Sequence, residues 1–335
     1  MGNNLFLSTT TTTQDGVSAT FSSFSFNAGN YRNAYSGVYN SKPPTRCVVK
    51  ISKSGKIASM AKKRRGSKRI AADDKNAKYA TTTSVVPPSY SASADKNVMA
   101  RQIADLILSQ PENSHNDITE IVTSVTQSLD PTTQMMFDDA VVSNLARKCS
   151  LEFNKRKDGS SDSVKRPLQF NIPVLLKIQY KHPFLSANNN DMICVEPFIT
   201  GKYHRFVSNN GTLLFQGTLG AFCHFSFHHS NGNFIIVDIQ GVRKETLYEL
   251  TDPAIHTAGK GGLFGELDLG DVGIDAFFLT HECNGLCRDL PRPDAHVNSR
   301  STSRVNMKEK IMMKNGNFDP TKKRQTHRKT RASKP

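Results

Sequence analysis

Tryptophan is absent from this 335-residue chain, cysteine occurs only six times, and acidic residues are outnumbered 29 to 44 by Lys and Arg. Each shortage excludes something. Six unevenly spaced cysteines (47, 149, 194, 223, 283 and 287) do not make a disulfide scaffold, and no charged, apolar and small-residue pattern at the N-terminus marks a secreted protein. A reducing compartment, cytoplasmic with a nuclear alternative through Lys62-Lys63-Arg64-Arg65, is the expectation. No apolar run approaches about 18 residues, so no ordinary membrane-spanning helix and no membrane partner are expected. Phe6 stands where a myristoylation signal after Gly2 needs Ser or Thr.

Hydrophobic residues make up 37% of the chain, below the roughly 45–50% of an ordinary globular domain. The deficit is local, in Ser-, Thr- and Asn-rich segments with little to bury. The net charge is +15 and favours acidic partners, but the excess is concentrated: residues 288–335 hold 14 basic and four acidic residues. Positive charge therefore belongs mainly to a solvated tail.

What remains patterns into a folded region. Residues 1–18, with the run 8–13, read as a flexible leader. Aromatic residues in a β-favouring context predict a strand at 20–26, Ala28-Gly29 a turn before Tyr31 to Tyr35, and the apolar run at 46–51 a second strand. Residues 52–136 read as a low-complexity and helical insertion. Within it, Met99, Ile103, Leu106 and Ile107, then Ile118, Ile121, Val122 and Val125, repeat at helical spacing. A long helix is predicted over 131–153, and strands over 168–179, 192–199, 202–207 and 234–239. Further helices are predicted over 213–229 and 274–290, and a basic disordered tail over 291–335. Ser- and Thr-dense stretches at 81–93 and 299–303 read as autophosphorylation segments.

Two clusters carry chemistry. His281-Glu282-Cys283-Asn284-Gly285-Leu286-Cys287 places three soft ligands within seven residues. Zinc needs a fourth, and His224 is the best placed, with His228, His229 and His256 as alternatives. The plain alternative is two buried thiols and a capping His. Second, the apolar strand 234–237 runs into Asp238-Ile239-Gln240-Gly241, followed by Thr251-Asp252-Pro253. Phosphoryl transfer needs a carboxylate at the acceptor hydroxyl and oxygen ligands for magnesium, roles open to Asp238, Gln240 and Asp252. Lys50, at the end of a strand, is either a phosphate-holding cation or a snorkelling lysine.

In order along the chain stand Phe26-Asn27-Ala28-Gly29-Asn30-Tyr31-Arg32-Asn33-Ala34-Tyr35, Val48-Val49-Lys50, Asp139, Glu152-Phe153-Asn154 and Val195-Glu196-Pro197-Phe198-Ile199-Thr200-Gly201-Lys202-Tyr203. Ser208-Asn209-Asn210-Gly211, Phe222-Cys223-His224, Val237-Asp238-Ile239-Gln240-Gly241, Leu250-Thr251-Asp252-Pro253 and the His281 to Cys287 segment follow. This ordered set resembles the alpha-kinases, atypical Ser/Thr protein kinases. The resemblance implies an α+β, bilobal fold over 19–290, with a mostly β N-lobe and a zinc-containing C-lobe, and transfer of the ATP γ-phosphoryl group to a protein. It implies that Gly29, Asn30, Tyr31, Arg32 and Lys50 contact ATP phosphates, that Asp139 lies near the nucleotide, and that Glu196, Pro197 and Ile199 meet adenine. Asp238 would accept the hydroxyl proton, and Gln240 and Asp252 would hold Mg2+. A structural Zn2+ would take His224, His281, Cys283 and Cys287.

Three features depart from the family pattern. Leu267 interrupts the glycine-rich stretch 265–270, the span 52–136 is long, and Arg205-Phe206 replaces a Lys-Tyr pair. The competing expectation is a pseudokinase scaffold whose basic segments bind RNA or acidic proteins.

Overall fold

The sequence Thr-Arg-Cys-Val-Val-Lys-Ile-Ser alternates between two environments, and this sets up the first half of the fold. Strand β4 (Thr45–Ser52) turns Cys47, Val49 and Ile51 into an apolar core with Phe21, Tyr35, Leu176, Ile193 and Val195. A computed structural model describes residues 8–12, 17–28, 32–53, 95–156, 166–180, 183, 185, 187–210, 217–259 and 261–293. All belong to one compact unit, Met1–Pro293.

Beside β4 run β1 (Ser8–Thr12), β2 (Ser18–Ala28), β3 (Arg32–Tyr39), β6 (Val174–Ile178) and β7 (Met192–Pro197). These six strands close into a barrel in the order β1-β2-β3-β4-β7-β6. Closure corrects the reading of 1–18 as a flexible leader: Ser8 to Thr12 pair with Ser22 to Ser18, and Thr11 pairs with Ile178. The threonines that read as having nothing to bury are β-branched, and their backbone completes the ring.

Helices build the second core. Asp95 caps α1 (Lys96–Leu108), and Asp130, followed by Pro131, caps α3 (Pro131–Phe153) by accepting from the Thr132 and Thr133 amides. With α2 (His115–Thr126), α4 (Thr218–His229) and α5 (Asp271–Thr280), they enclose Ile103, Ile121, Phe137, Phe153, Phe222 and Phe277. Residues 95–136 of the expected insertion are thus core elements. Residues 54–94, including 81–93 and the 62–65 basic run, lie outside the described residues, as does most of the tail, 294–335.

Short strands join the two cores. Strand β5 (Leu168–Phe170) is separated from β6 by Pro173 where a single strand was expected. With β8 (Tyr203–Arg205), β10 (Gln240–Arg243) and β11 (Tyr248–Thr251) it forms a sheet ordered β5-β11-β10-β8. A separate two-stranded antiparallel sheet pairs β9 (Phe234–Val237) with β12 (Ala254–Thr257), residue 254 opposite 237, with β10 and β11 between them in the chain. The last described helix stops at Thr280, short of the expected residue 290, because His281 turns extended and Asn284-Gly285 cannot sustain the helix.

Gly241 sits at φ +146°, and a methyl group there would come within 2.1 Å of the Glu249 carbonyl oxygen. Gly241→Ala is therefore expected to destabilise by about 3 kcal/mol or more. Urea denaturation measures this, and an unchanged midpoint would show that the close β10–β11 approach is not required.

Candidate active site

Strand alternation that points Cys47, Val49 and Ile51 into the barrel sends Lys50 out through its wall toward the helical core. The ammonium pairs with Glu196 of β7 and lies 2.9 Å from the Asp252 carboxylate. Glu196 also accepts from the Thr251 hydroxyl and is buried. At the start of β3, Arg32 makes a two-point contact with Asp139 of α3, at 2.6 and 3.0 Å, and reaches Asp252 at 3.4 Å. Residues from the barrel, the long helix and the β11 exit thus share one ion cluster.

Two carboxylates leave their strands at the same kind of position. Asp238 follows β9 with φ 50° and Asp252 follows β11 with φ 54°, the left-handed region that Asp tolerates better than most residues. Both turn out of the hydrogen-bond ladder. Asp238 is buried and held by Arg205 Nε at 3.1 Å, while the Gln240 amide donates to the Asp252 carbonyl at 3.3 Å.

The electrostatics separate these acids. Burial raises the Asp238 pKa to about 6, with Arg205 opposing and Asp252 reinforcing the rise. Asp139 is likewise pushed up to about 6 by burial, against the pull of Arg32. For Asp252, burial is outweighed by Lys50 and Arg32, which hold the carboxyl below its ordinary value. Burial by itself would lower the Lys50 pKa, yet Asp252 and Glu196 raise it. One carboxylate is thereby fixed as an anion, and another is poised to exchange a proton near neutrality.

The structure brings Arg32, Lys50, Asp139, Glu196 and Asp252 together as one cluster, with Gln240 bonded to the Asp252 backbone and Asp238 beside it. The Glu196 side chain, expected at adenine, meets Lys50 and Thr251. Pro197 is exposed and Ile199 half-buried just past it. Gly29, Asn30 and Tyr31 lie outside the described residues. Arg205 entered the sequence reading only as a mild departure; its position two residues from Tyr203 on a three-residue strand carried no signal that it would meet Asp238.

A second cluster lies behind α4. His224, His281, Cys283 and Cys287 bring four ligand atoms within 4.8 Å of one another. Cys283 Sγ is 3.6 Å from His224 Nδ1, and Cys287 Sγ is 3.4 Å from His281 Nε2. Tetrahedral zinc with bonds of about 2.3 Å to sulfur and 2.0–2.1 Å to nitrogen requires ligand edges of about 3.5 Å. His224 Nε2–H donates to the Pro291 carbonyl at 3.1 Å, leaving Nδ1 to ligate. Burial, His224 and Arg292 push His281 down to about 4, and burial with Cys283 pushes the Cys287 thiol up to about 11. Two neutral imidazoles beside two thiols suit a divalent cation. His228, His229 and His256, the alternatives in the sequence, stand outside the set. Arg156 secures the segment from outside, donating to the Leu286 carbonyl at 2.8 Å and pairing with Asp289.

Residues 94–287 match the model of the alpha-kinase family. The chain is 35% identical over 157 residues to myosin heavy chain kinase A of Dictyostelium discoideum, covering 46% of this chain and 12% of that protein. It is 32% identical over 179 residues to eukaryotic elongation factor 2 kinase of Rattus norvegicus, covering 52% of this chain and 22% of that one. The chain thus spans only a minor part of these relatives. An alpha-kinase structure from Entamoeba histolytica superposes with a TM-score of 0.51 at 19% identity, over 83% of this chain and 81% of that chain, and shares the fold.

A carboxyl whose pKa rises on folding contributes stability when protonated and loses it as pH climbs through the folded value. Asp238, raised from 3.8 to about 6, should therefore cost about 1–3 kcal/mol at pH 7. Asp238→Asn, which also tolerates φ 50°, is expected to be more stable than the parent by that margin at pH 7, with the gap closing toward pH 4. Urea titrations of both proteins across this range test it. A gap that is constant with pH would show that the carboxyl is not shifted.

Proposed function

Because the chain belongs to the alpha-kinase family, we propose that it binds ATP and transfers the γ-phosphoryl group to a Ser or Thr hydroxyl of a protein substrate. The observation that carries this reading is the convergence of Lys50 and Asp252, 2.9 Å apart, beside a buried Asp238 with a near-neutral pKa. In the proposed arrangement the barrel and the helical core are the two lobes, with nucleotide between them. Lys50 and Arg32 hold phosphate oxygens. Gly29, Asn30 and Tyr31 belong to the same phosphate-binding stretch. The backbone of 196–199, including Pro197 and Ile199, borders adenine, while the Glu196 side chain keeps Lys50 extended. Asp139 orients Arg32.

Asp238 accepts the proton of the attacking hydroxyl as the phosphorus–oxygen bond forms and ADP departs. Arg205 keeps its carboxylate charged and aimed. Gln240 and Asp252 supply oxygen ligands for magnesium, which when bound neutralises phosphate charge. His224, His281, Cys283 and Cys287 hold a zinc ion that is structural, since four protein ligands close the coordination shell. All six cysteines are free thiols, in keeping with a cytoplasmic or nuclear setting. No helix among the described residues is long and apolar enough to cross a membrane.

The test is transfer of labelled phosphate from ATP and magnesium to protein acceptors. Wild type should transfer, and Asp238→Asn should lose activity by about 100-fold or more. The wild-type kcat/KM should fall as pH drops below about 6, where Asp238 becomes protonated. Absence of transfer from a folded, ATP-binding wild type would favour the scaffold that binds RNA or acidic proteins through its basic segments.

A separate measurement addresses the metal. Elemental analysis should find one zinc per chain, and Cys287→Ser or a strong chelator should remove it and lower the thermal midpoint of the helical core, because metal binding is coupled to folding. A metal-free protein of unchanged midpoint would refute the structural zinc.

A further inference from the structure

Thr251 is buried at the end of β11, and the mechanism above gives it no part. Its backbone pairs with Gln240 on β10, and the next residue along the chain is Asp252. Its hydroxyl leaves the sheet and donates to Glu196 Oε2 on strand β7 of the barrel. The other oxygen of that carboxylate, Oε1, meets the Lys50 ammonium. Through one hydroxyl and one peptide link, Thr251 is therefore bonded to both acids that flank Lys50: Glu196 and Asp252, the latter 2.9 Å from the ammonium.

The barrel alone does not dictate this arrangement. Glu196 stands opposite Val48 and Lys50 opposite Cys194, so acid and ammonium are diagonal neighbours on β4 and β7, a spacing that long side chains can bridge in more than one geometry. The Glu196 side chain is only 5% exposed, and a buried carboxylate needs a donor at each oxygen. Oε1 takes its donor from Lys50 and Oε2 from Thr251. Without the hydroxyl, Oε2 would lose its donor and the carboxylate would be free to turn both oxygens toward Lys50, drawing the ammonium away from Asp252. One buried hydroxyl, carried on the sheet that presents Gln240 and Asp252, thus sets where the lysine of the barrel stops. The backbone at 196–199 does not depend on it: Cys47 pairs with Pro197, and the Phe198 amide donates to the Arg46 carbonyl at 3.1 Å.

We propose that Thr251 is a positioning residue for the ATP phosphates: its hydroxyl holds Glu196 so that Lys50 stays extended between Glu196 and Asp252, where a phosphate oxygen is received. The inference rests on the reading of this cleft as an ATP site. It confines the effect of Thr251 to the phosphate end of the nucleotide, because the hydroxyl acts on the ammonium through Glu196 while the segment proposed to border adenine is held by β4.

The experiment uses the full chain and measures dissociation constants for ATP and for adenosine by titration calorimetry in EDTA, comparing Thr251→Val, Thr251→Ala and Thr251→Ser with wild type. Val keeps the branched shape and loses the hydroxyl, whereas Ser keeps the hydroxyl. Thr251→Val should weaken ATP binding about tenfold while adenosine binding stays within about twofold of wild type. Thr251→Ser should recover most of the ATP affinity. With magnesium and myelin basic protein, the KM for ATP of Thr251→Val should rise by a similar factor and the KM for the acceptor should not move. Unchanged ATP affinity, equal losses for ATP and adenosine, or a Ser variant as weak as Val would overturn the proposal. If Thr251→Val does not fold, Thr251→Ala is read by the same comparison; failure of both to fold while Thr251→Ser folds would assign the hydroxyl to stability alone and overturn it as well. A folded wild type that binds no ATP defeats the reading of the cleft itself, and the inference falls with it.

Discussion

Lys50 carries its charge through the wall of a barrel, and the surrounding structure is arranged to make that tolerable. A buried ammonium without a partner costs several kcal/mol, and removing one member of such a pair costs about 3–5 kcal/mol. Glu196 on the neighbouring strand meets the ammonium from one side and Asp252 from another. Asp252 can do so only because the chain enters the left-handed region as it leaves β11. Arg32 then shares Asp252 and brings in Asp139 from the long helix. The barrel and the helical core are thus coupled by ionic contacts at the place where ATP phosphates are proposed to bind. Phosphate, a polyanion, would meet two cations already held in position by carboxylates, so little side-chain ordering remains to oppose binding.

The same geometry explains the different behaviour of the acids. Asp252 sits between two cations and stays ionised; Asp238 pairs with the half-exposed Arg205, feels Arg32 more weakly, and is pushed up by burial. A pKa near 6 keeps Asp238 ionised at neutral pH while leaving it basic enough to take a proton. Exchanging these environments would exchange the roles.

Much of this was legible in the sequence, and the misses have physical causes. Helices α1 to α3 were readable because their apolar residues repeat on one face and Asp-Pro marks the start of α3. The candidate cluster was readable in part: His281, Cys283 and Cys287 stand within seven residues, while His224 was one of four candidate histidines and was singled out by the family resemblance. The Thr-rich strand β1 was not, because it is stabilised by backbone pairing with β2 and β6, which composition does not encode. The inward turn of Glu196 was also hidden: strand alternation assigns a face but not the partner that occupies it. His256 looked like a spare metal ligand, since its two hydrogen-bond partners lie 47 and 13 residues away.

The long-range pairs missed by sequence reasoning are those that turn a fold into a site. Asp238, Gln240 and Asp252 lie within 15 residues, but each is placed by a different partner. Arg205 reaches Asp238 from β8, Gln240 bonds the Asp252 backbone, and Lys50 reaches Asp252 from the barrel. Beyond them, the two-stranded β9–β12 sheet carries Asp238 at one end and His256 within its second strand. The strand pair that precedes the proposed base is therefore also bonded to the 208–210 and 261–270 loops. A displacement of β12 against β9 would move both together, because Ala254 pairs with Val237 and Thr257 with Phe234 across the two strands.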